Sequence, residues 1–318
     1  MRLRDGAGAG GRSGRAGDRA GCAATGWLGA GAVTAALPRT PVAVLVLGSV
    51  VGVQFGQAFG KQLLGVAGPM GVVLLRLGFA ATVLLALVRP RLPVSRRDVP
   101  LILGFGTAIA GMSLFLFPAL QRLPVGMTVS LQFLGPLSLA LLGSRRLPDL
   151  LWAGLAGVGV FLFYDPASGS WSTSGALFAL ASGACWAVYL LASRRAGTRV
   201  GASVLALAVC WAAVVCLPFG ILESRTAVVP EILPEILVAG LGLALVSAVL
   251  PYSFDLLALR RIPPRVLGVL VSLEPVFGGL GGLLIVGEHL ELSQWIAIGL
   301  ISTASLGVAC WRGERPAS

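Results

Sequence analysis

The stretch Leu250–Leu290, LPYSFDLLALRRIPPRVLGVLVSLEPVFGGLGGLLIVGEHL, decides the fold. It holds most of one apolar run, Ile236–Leu259, and all of a second, Val266–Val286, joined by the basic turn Arg260-Arg261-Ile262-Pro263-Pro264-Arg265. Each run is long enough to cross a hydrocarbon core as a helix, which takes about 20 residues. Each also carries an acid where hydrocarbon makes a charge costly, Asp255 in the first and Glu274 in the second. An ionisable side chain inside a spanning helix is a functional-site hypothesis by default.

Composition places the rest of the chain in the same solvent. Of 318 residues, 56% are hydrophobic and only 12% charged, against about 25% charged in a soluble globular chain. The polar residues needed to cover a water-facing surface are missing, so the fold class is an all-α integral membrane protein. A net charge of +11 does not call for nucleic acid, because the arginines sit in short loops between apolar runs, where the positive-inside rule puts them. The five cysteines (Cys22, Cys185, Cys210, Cys216 and Cys310) have no paired spacing and read as small buried apolar residues rather than disulfides or metal ligands. Nothing calls for a cofactor or a metal.

Residues 1–40 are rich in Gly, Ala and Arg without helical periodicity and read as a disordered basic tail. A cleaved signal peptide fits less well, since no apolar core of about 7–15 residues precedes Pro38. From Pro41 onward ten spanning runs follow: 41–60, 67–88, 99–119, 124–143, 148–164, 174–193, 201–222, 233–259, 264–287 and 291–311. The fifth is close to the short limit of about 17 residues. With both termini cytoplasmic, the inside segments collect 20 of the 24 basic residues: six in 1–40, four in 89–97, Arg145 and Arg146, three in 194–199, and Arg260, Arg261, Arg265, Arg312 and Arg315. The outside ends hold only Lys61, Arg122 and Arg225, with Glu223, Glu231, Glu235, Glu288 and Glu291 gathered there. A miscounted helix would scramble that alternation.

An internal repeat runs through the ten. Ala119-Leu-Gln-Arg-Leu-Pro124 matches Ala258-Leu-Arg-Arg-Ile-Pro263 at an offset of 139, which also lays Leu134-Gly-Pro136 on Leu273-Glu-Pro275. Trp152 corresponds to Trp295 after a small insertion, and Ser49 and Lys61 fall on Ser182 and Arg194 at an offset of 133. The chain therefore reads as two five-helix repeats, 41–165 and 173–312. Five is odd, so the two have inverted topology, an arrangement that places a substrate near the midplane where the halves meet.

Depth singles out the candidate residues. Glu274 lies ten residues past Pro264, about 15 Å into a core of about 30 Å. Arg76 lies nine residues past Ala67, about 14 Å from the other side. In the functional reading Glu274 alternates between a proton and a cationic amino group, with Arg76 holding a carboxylate. In the structural reading the two form a permanent ion pair that fixes packing. Asp255 is shallower, within about 8 Å of the inner surface, and is a second protonatable candidate or a snorkelling side chain. Tyr252 shares its helix face, and Pro251 should kink that helix and free backbone carbonyls. Gln54, Gln57 and Lys61 form a polar stripe on the first run, beside a stripe of Gly48, Gly52, Gly56 and Gly60 that reads as a packing seam. Ser182, Trp186, Tyr189 and Ser193 share a face of the sixth run, and Gln132 in the fourth completes the set. His289, the single histidine, reads as an exposed loop residue.

The two-times-five plan, with LQFLGPL (Leu131–Leu137), LPYSFDLLALRRIPPR (Leu250–Arg265) and SLEPV through Gly287-Glu288, resembles the EamA-domain branch of the drug/metabolite transporter superfamily. Within it, the chain is most similar to the bacterial threonine/homoserine exporter type. The resemblance covers residues 41–311. It implies an inner-membrane carrier, not an enzyme, that exports small amino acids against proton entry by alternating access. It also implies a central cavity built by runs one to four and six to nine, with five and ten peripheral. Two positions depart from the exporter pattern: Gln132 and Asp255 each stand where that pattern has Glu. The first removes a protonatable group and the second shortens its reach.

The expectation is then a carrier in the lipid bilayer with a small-molecule substrate and protons as coupling ion. Gln54, Gln57, Arg76, Gln132, Trp186, Tyr189 and Tyr252 would bind substrate, and Glu274 and Asp255 would couple protons. Alternatives are a carrier of another metabolite, such as a nucleobase or a drug-like cation, and a membrane scaffold or sensor without flux. An intramembrane enzyme fits poorly, since no HExxH, nucleophile elbow or paired membrane aspartates occur. A homodimer is compatible with the sequence.

Overall fold

The computed structural model describes residues 42–90, 95–96, 98–142, 147–164, 171–196, 201–227, 233–259 and 264–311. The basic tail expected over 1–40 lies outside them, as do most of the loop arginines used for orientation. Every element among the described residues is helical. In hydrocarbon each backbone N–H and C=O must be satisfied within the chain, and a run of Leu, Val, Ala, Gly and Phe with no water-facing side can do that only as a helix.

Seven spans are single helices: α1 (Val42–Gln62), α2 (Leu64–Val88), α3 (Val99–Arg122), α4 (Val125–Leu142), α5 (Leu147–Phe163), α6 (Thr173–Ala196) and α7 (Ala202–Ala227). The eighth is α8 (Leu233–Ala244), a π turn (Leu245–Val249) and α9 (Leu250–Leu259). The ninth is α10 (Pro264–Val271), α11 (Glu274–Gly281) and a second π turn (Gly282–Val286), and the tenth is α12 (Leu292–Trp311). Nine of the described spans are long and apolar enough to cross a membrane, while α5 contributes the shorter apolar stretch Leu150–Phe163. The protein is a multi-pass membrane protein.

Prolines account for the breaks. Pro251 has no N–H to donate to the carbonyl four residues back, and the chain absorbs the loss in the π turn just before it. Pro275 cannot donate to Val271, and the ninth span is interrupted at Ser272–Leu273, so that Glu274 begins a new helix. The second run starts as α2 at Leu64 rather than at 67 and kinks at Gly68, whose φ of 69° lies in the left-handed region, before Pro69. Leu123 is extended because Pro124 follows it, which ends α3.

The spans pack in reciprocal sets. Span three lies on six and eight on one; four lies on six and nine on one; three lies on seven and eight on two. Spans two and seven, four and nine, and five and ten pair with each other. The largest core cluster joins spans two, three, seven and eight through Leu77, Phe105, Phe117, Val209 and Leu243. A second, around Met127, Phe163, Ile298 and Ile301, ties four and five to ten. Large apolar side chains such as Leu151, Phe161, Leu222 and Val238 stay exposed, as expected where lipid is the solvent. The glycine stripe of α1 packs against the eighth span: a Cβ at Gly52 would meet the Val246 carbonyl at 2.9 Å and one at Gly56 the Ser247 Cβ at 2.4 Å.

Candidate functional site

Glu274 and Gln54 meet where spans nine and one cross. The break at Ser272–Leu273 makes Glu274 the first residue of α11, and Gln54 Nε2 donates to its Oε2 at 3.2 Å. Gln54 is 1% exposed and Gln57, one turn further on the same face, 4% exposed. The amide oxygens of both are buried without a hydrogen-bond partner. Below this crossing, Gly281 of α11 lies near the Gln54 carbonyl of α1, so the two helices run close together beside the acid.

Arg76 is held by groups that the sequence reading did not name. It is buried, and its guanidinium donates to Ser113 Oγ (3.2 Å), Ser247 Oγ (2.9 Å) and the Ser247 carbonyl (2.9 Å). That carbonyl belongs to the residue four before Pro251, so the proline withholds its usual helical donor and Arg76 supplies one. A buried cation is thereby satisfied by dipoles of spans three and eight. The partners Ser113 and Ser247 were not among the sequence candidates. Ser247 was legible in principle from its spacing to Pro251, whereas Ser113 carries no such signal.

The other candidates lie around this centre. Gln132 of α4 is buried and donates to Ser182 Oγ at 2.8 Å, and Ser182 Oγ in turn donates to the Met112 carbonyl at 2.8 Å. Trp186 packs edge-on against Phe133 and Tyr189 edge-on against Phe105. Tyr252 is half-buried against the main core cluster. Asp255 falls in α9, but its side chain is outside the described set. At the far end of the one–nine crossing, Lys61 pairs with Glu288 and donates to the Leu123 carbonyl at 2.6 Å, while Glu288 Oε2 accepts from Val125 N at 2.8 Å. Near the same end Glu223 accepts from the backbone N–H of Met70 and Gly71, the donors exposed where α2 restarts after Pro69.

Comparison with known proteins then places the chain. The EamA-like transporter family matches residues 173–310. The threonine/homoserine exporter RhtA of Escherichia coli K12 is 35% identical over 268 residues, covering 83% of this chain and 90% of that protein. The chain belongs to the EamA-like transporter family. The RhtA of Salmonella typhimurium LT2 is likewise 35% identical, over 271 residues that cover 84% of this chain and 90% of its own length. One crystal structure of a protein 22% identical superposes with a TM-score of 0.60 over 86% of this chain and 99% of that one, a likeness of fold alone. As an EamA-like transporter of the drug/metabolite transporter superfamily, resembling the threonine/homoserine exporter type, this protein joins relatives named as carriers rather than enzymes.

Proposed function

We propose that this EamA-like transporter exports small amino acids, threonine and homoserine first, from the cytoplasm across the cell membrane in exchange for protons. Its two five-helix halves are related by inverted topology, both termini face the cytoplasm, and the halves rock about a central site. The export direction and substrate follow the names of the exporters it resembles. The repeat is supported by paired hydrogen bonds. Ser49 Oγ donates to the Pro251 carbonyl at 3.4 Å and Ser182 Oγ to the Met112 carbonyl at 2.8 Å. Those four residues map onto one another by the sequence offsets of 133 and 139.

The observation that carries the mechanism is the Gln54–Glu274 contact, a carboxylate at the middle of a broken span held by a residue of the other half. A carboxylate there binds either a proton or a cationic amino group, and that exclusion couples the two fluxes. Gln54 and Gln57 bind substrate beside it. Gln132, Trp186, Tyr189 and Tyr252 line the surrounding walls, and Asp255 is a second proton-coupling group on the cytoplasmic side. The Lys61–Glu288 pair, which joins the halves at one end, is what must part for the site to open there. The commitment of Arg76 to Ser113 and Ser247 favours a second reading, a carrier of amines that lack a carboxylate.

The test is uptake of labelled threonine into inside-out vesicles with and without an imposed pH gradient. Gradient-dependent accumulation that homoserine competes away supports the reading. No accumulation in vesicles shown to contain the protein sinks it.

A further inference from the structure

We infer that the amide oxygens of Gln54 and Gln57, together with the Glu274 carboxylate, form the acceptor set for a primary ammonium group, so that substrate is recognised by its cationic end. The identity of the ligands tested rests on the exporter reading above.

Both glutamines are more than nine-tenths buried, and both amide oxygens lack a donor. Burying an acceptor without a partner is costly, because water satisfied it in the unfolded chain. Two such acceptors sit three residues apart on one helix face, which puts them one turn from each other. The Gln54 nitrogen already faces Glu274. An ionised carboxylate only accepts, so that contact fixes which end of the amide is nitrogen and leaves the oxygen for an incoming donor. A primary ammonium carries three N–H donors and no acceptor. Two glutamine oxygens and one carboxylate offer three acceptors. A carboxylate group of the substrate would meet the like charge of Glu274 here, and three of the five donors of Arg76 are engaged by Ser113 and Ser247.

Unpartnered polar atoms do not by themselves mark such a site. Trp152 Nε1 and Ser302 Oγ are also buried without partners, but they lie on the peripheral spans five and ten. What distinguishes Gln54 and Gln57 is that they share a face of α1 on which Gln54 is bonded to an acid at a break in the ninth span.

The experiment uses purified full-length protein and three related ligands: threonine, 1-amino-2-propanol, which lacks the carboxylate, and 2,3-dihydroxybutyrate, in which hydroxyl replaces ammonium. Threonine and 1-amino-2-propanol should raise the melting temperature of the wild type, and 2,3-dihydroxybutyrate should not. Gln57→Leu removes an unsatisfied acceptor, so it should raise the unliganded melting temperature by about 2 °C or more. It should also weaken both amine ligands about tenfold. Gln57→Met, close in volume, stands in if the leucine variant does not fold, and the wild-type ligand series needs neither. Binding of 2,3-dihydroxybutyrate as tight as that of threonine overturns the inference while leaving the exporter reading intact. Binding of 1-amino-2-propanol without threonine keeps the ammonium site and discards the amino-acid reading. A Gln57→Leu variant that melts lower and binds amines normally, or a wild type stabilised by none of the three, also overturns it.

Discussion

Spans four and six cross at Gly135 and Gly183; spans nine and one cross at Glu274 beside Gln54. By the sequence offsets of 139 and 133 these two crossings correspond, since Gly135 maps to Glu274 and Gly183 to Val50. At the four–six crossing the contact is backbone on backbone. A Cβ on Gly135 would lie 1.9 Å from the Gly183 carbonyl oxygen, and one on Gly183 would lie 2.3 Å from that of Gln132. At the nine–one crossing the glycine is replaced by an acid, and the helices are joined by polar side chains, Gln54 to Glu274 midway and Lys61 to Glu288 at the end. Close backbone contact between small residues is the strongest packing available in lipid, where apolar burial drives nothing. A polar contact can be exchanged for a proton or a ligand, so the four–six crossing is built to stay closed and the nine–one crossing to respond.

The largest effect should come from the closed crossing. Gly135→Val forces a branched side chain into the Gly183 backbone, which cannot swing away, so it should cost about 3 kcal/mol or more, the upper end for overpacking. Loss of folded protein in the membrane fraction checks this; normal yield would mean that the four–six contact is looser than described. Next is Glu274→Gln, which keeps shape and removes the titrating group. Gradient-driven efflux should fall to background at unchanged membrane content, and normal efflux would move coupling to the shallower Asp255.

Breaking the pair at the far end is a smaller perturbation. Lys61→Met removes both the ion pair and the bond to Leu123, at about 1–2 kcal/mol in thermal unfolding. Adding Glu288→Gln should then cost less than its single-mutant value, because the two act as a unit. Additive losses would show the pair to be incidental. Gln132→Leu should cost about 1 kcal/mol, the worth of its bond to Ser182, and weaken uptake by altering a wall of the site. Unchanged uptake would remove Gln132 from the substrate path. Smallest of all, Gly281→Ala meets its first neighbour, the Gln54 carbonyl, at 3.3 Å, and should shift stability by less than about 1 kcal/mol.

Much of this was legible in the chain. The ten spans, the polar and glycine stripes of α1 and the kink at Pro251 all follow from rules that act within a few turns of helix. The candidate site was legible only as a set of residues at similar depth. Gln54 and Glu274 were both singled out, but their contact was not, and neither were the serines that hold Arg76. Those two, Ser113 and Ser247, are ordinary serines in apolar runs until the helices are packed.

The division has a physical cause. Hydrocarbon thickness and the cost of unsatisfied backbone act on each segment separately, so composition, run length and loop charge by themselves determined how many helices there are and where they begin and end. Proline, which withholds a donor from one specific carbonyl, likewise determined where two of them break. Which side chains face each other depends on the rotation and tilt of every helix against its neighbours. The partners of Arg76 and Glu274, 171 and 220 residues away in sequence, were decided only when the tertiary structure brought spans one, two, eight and nine together.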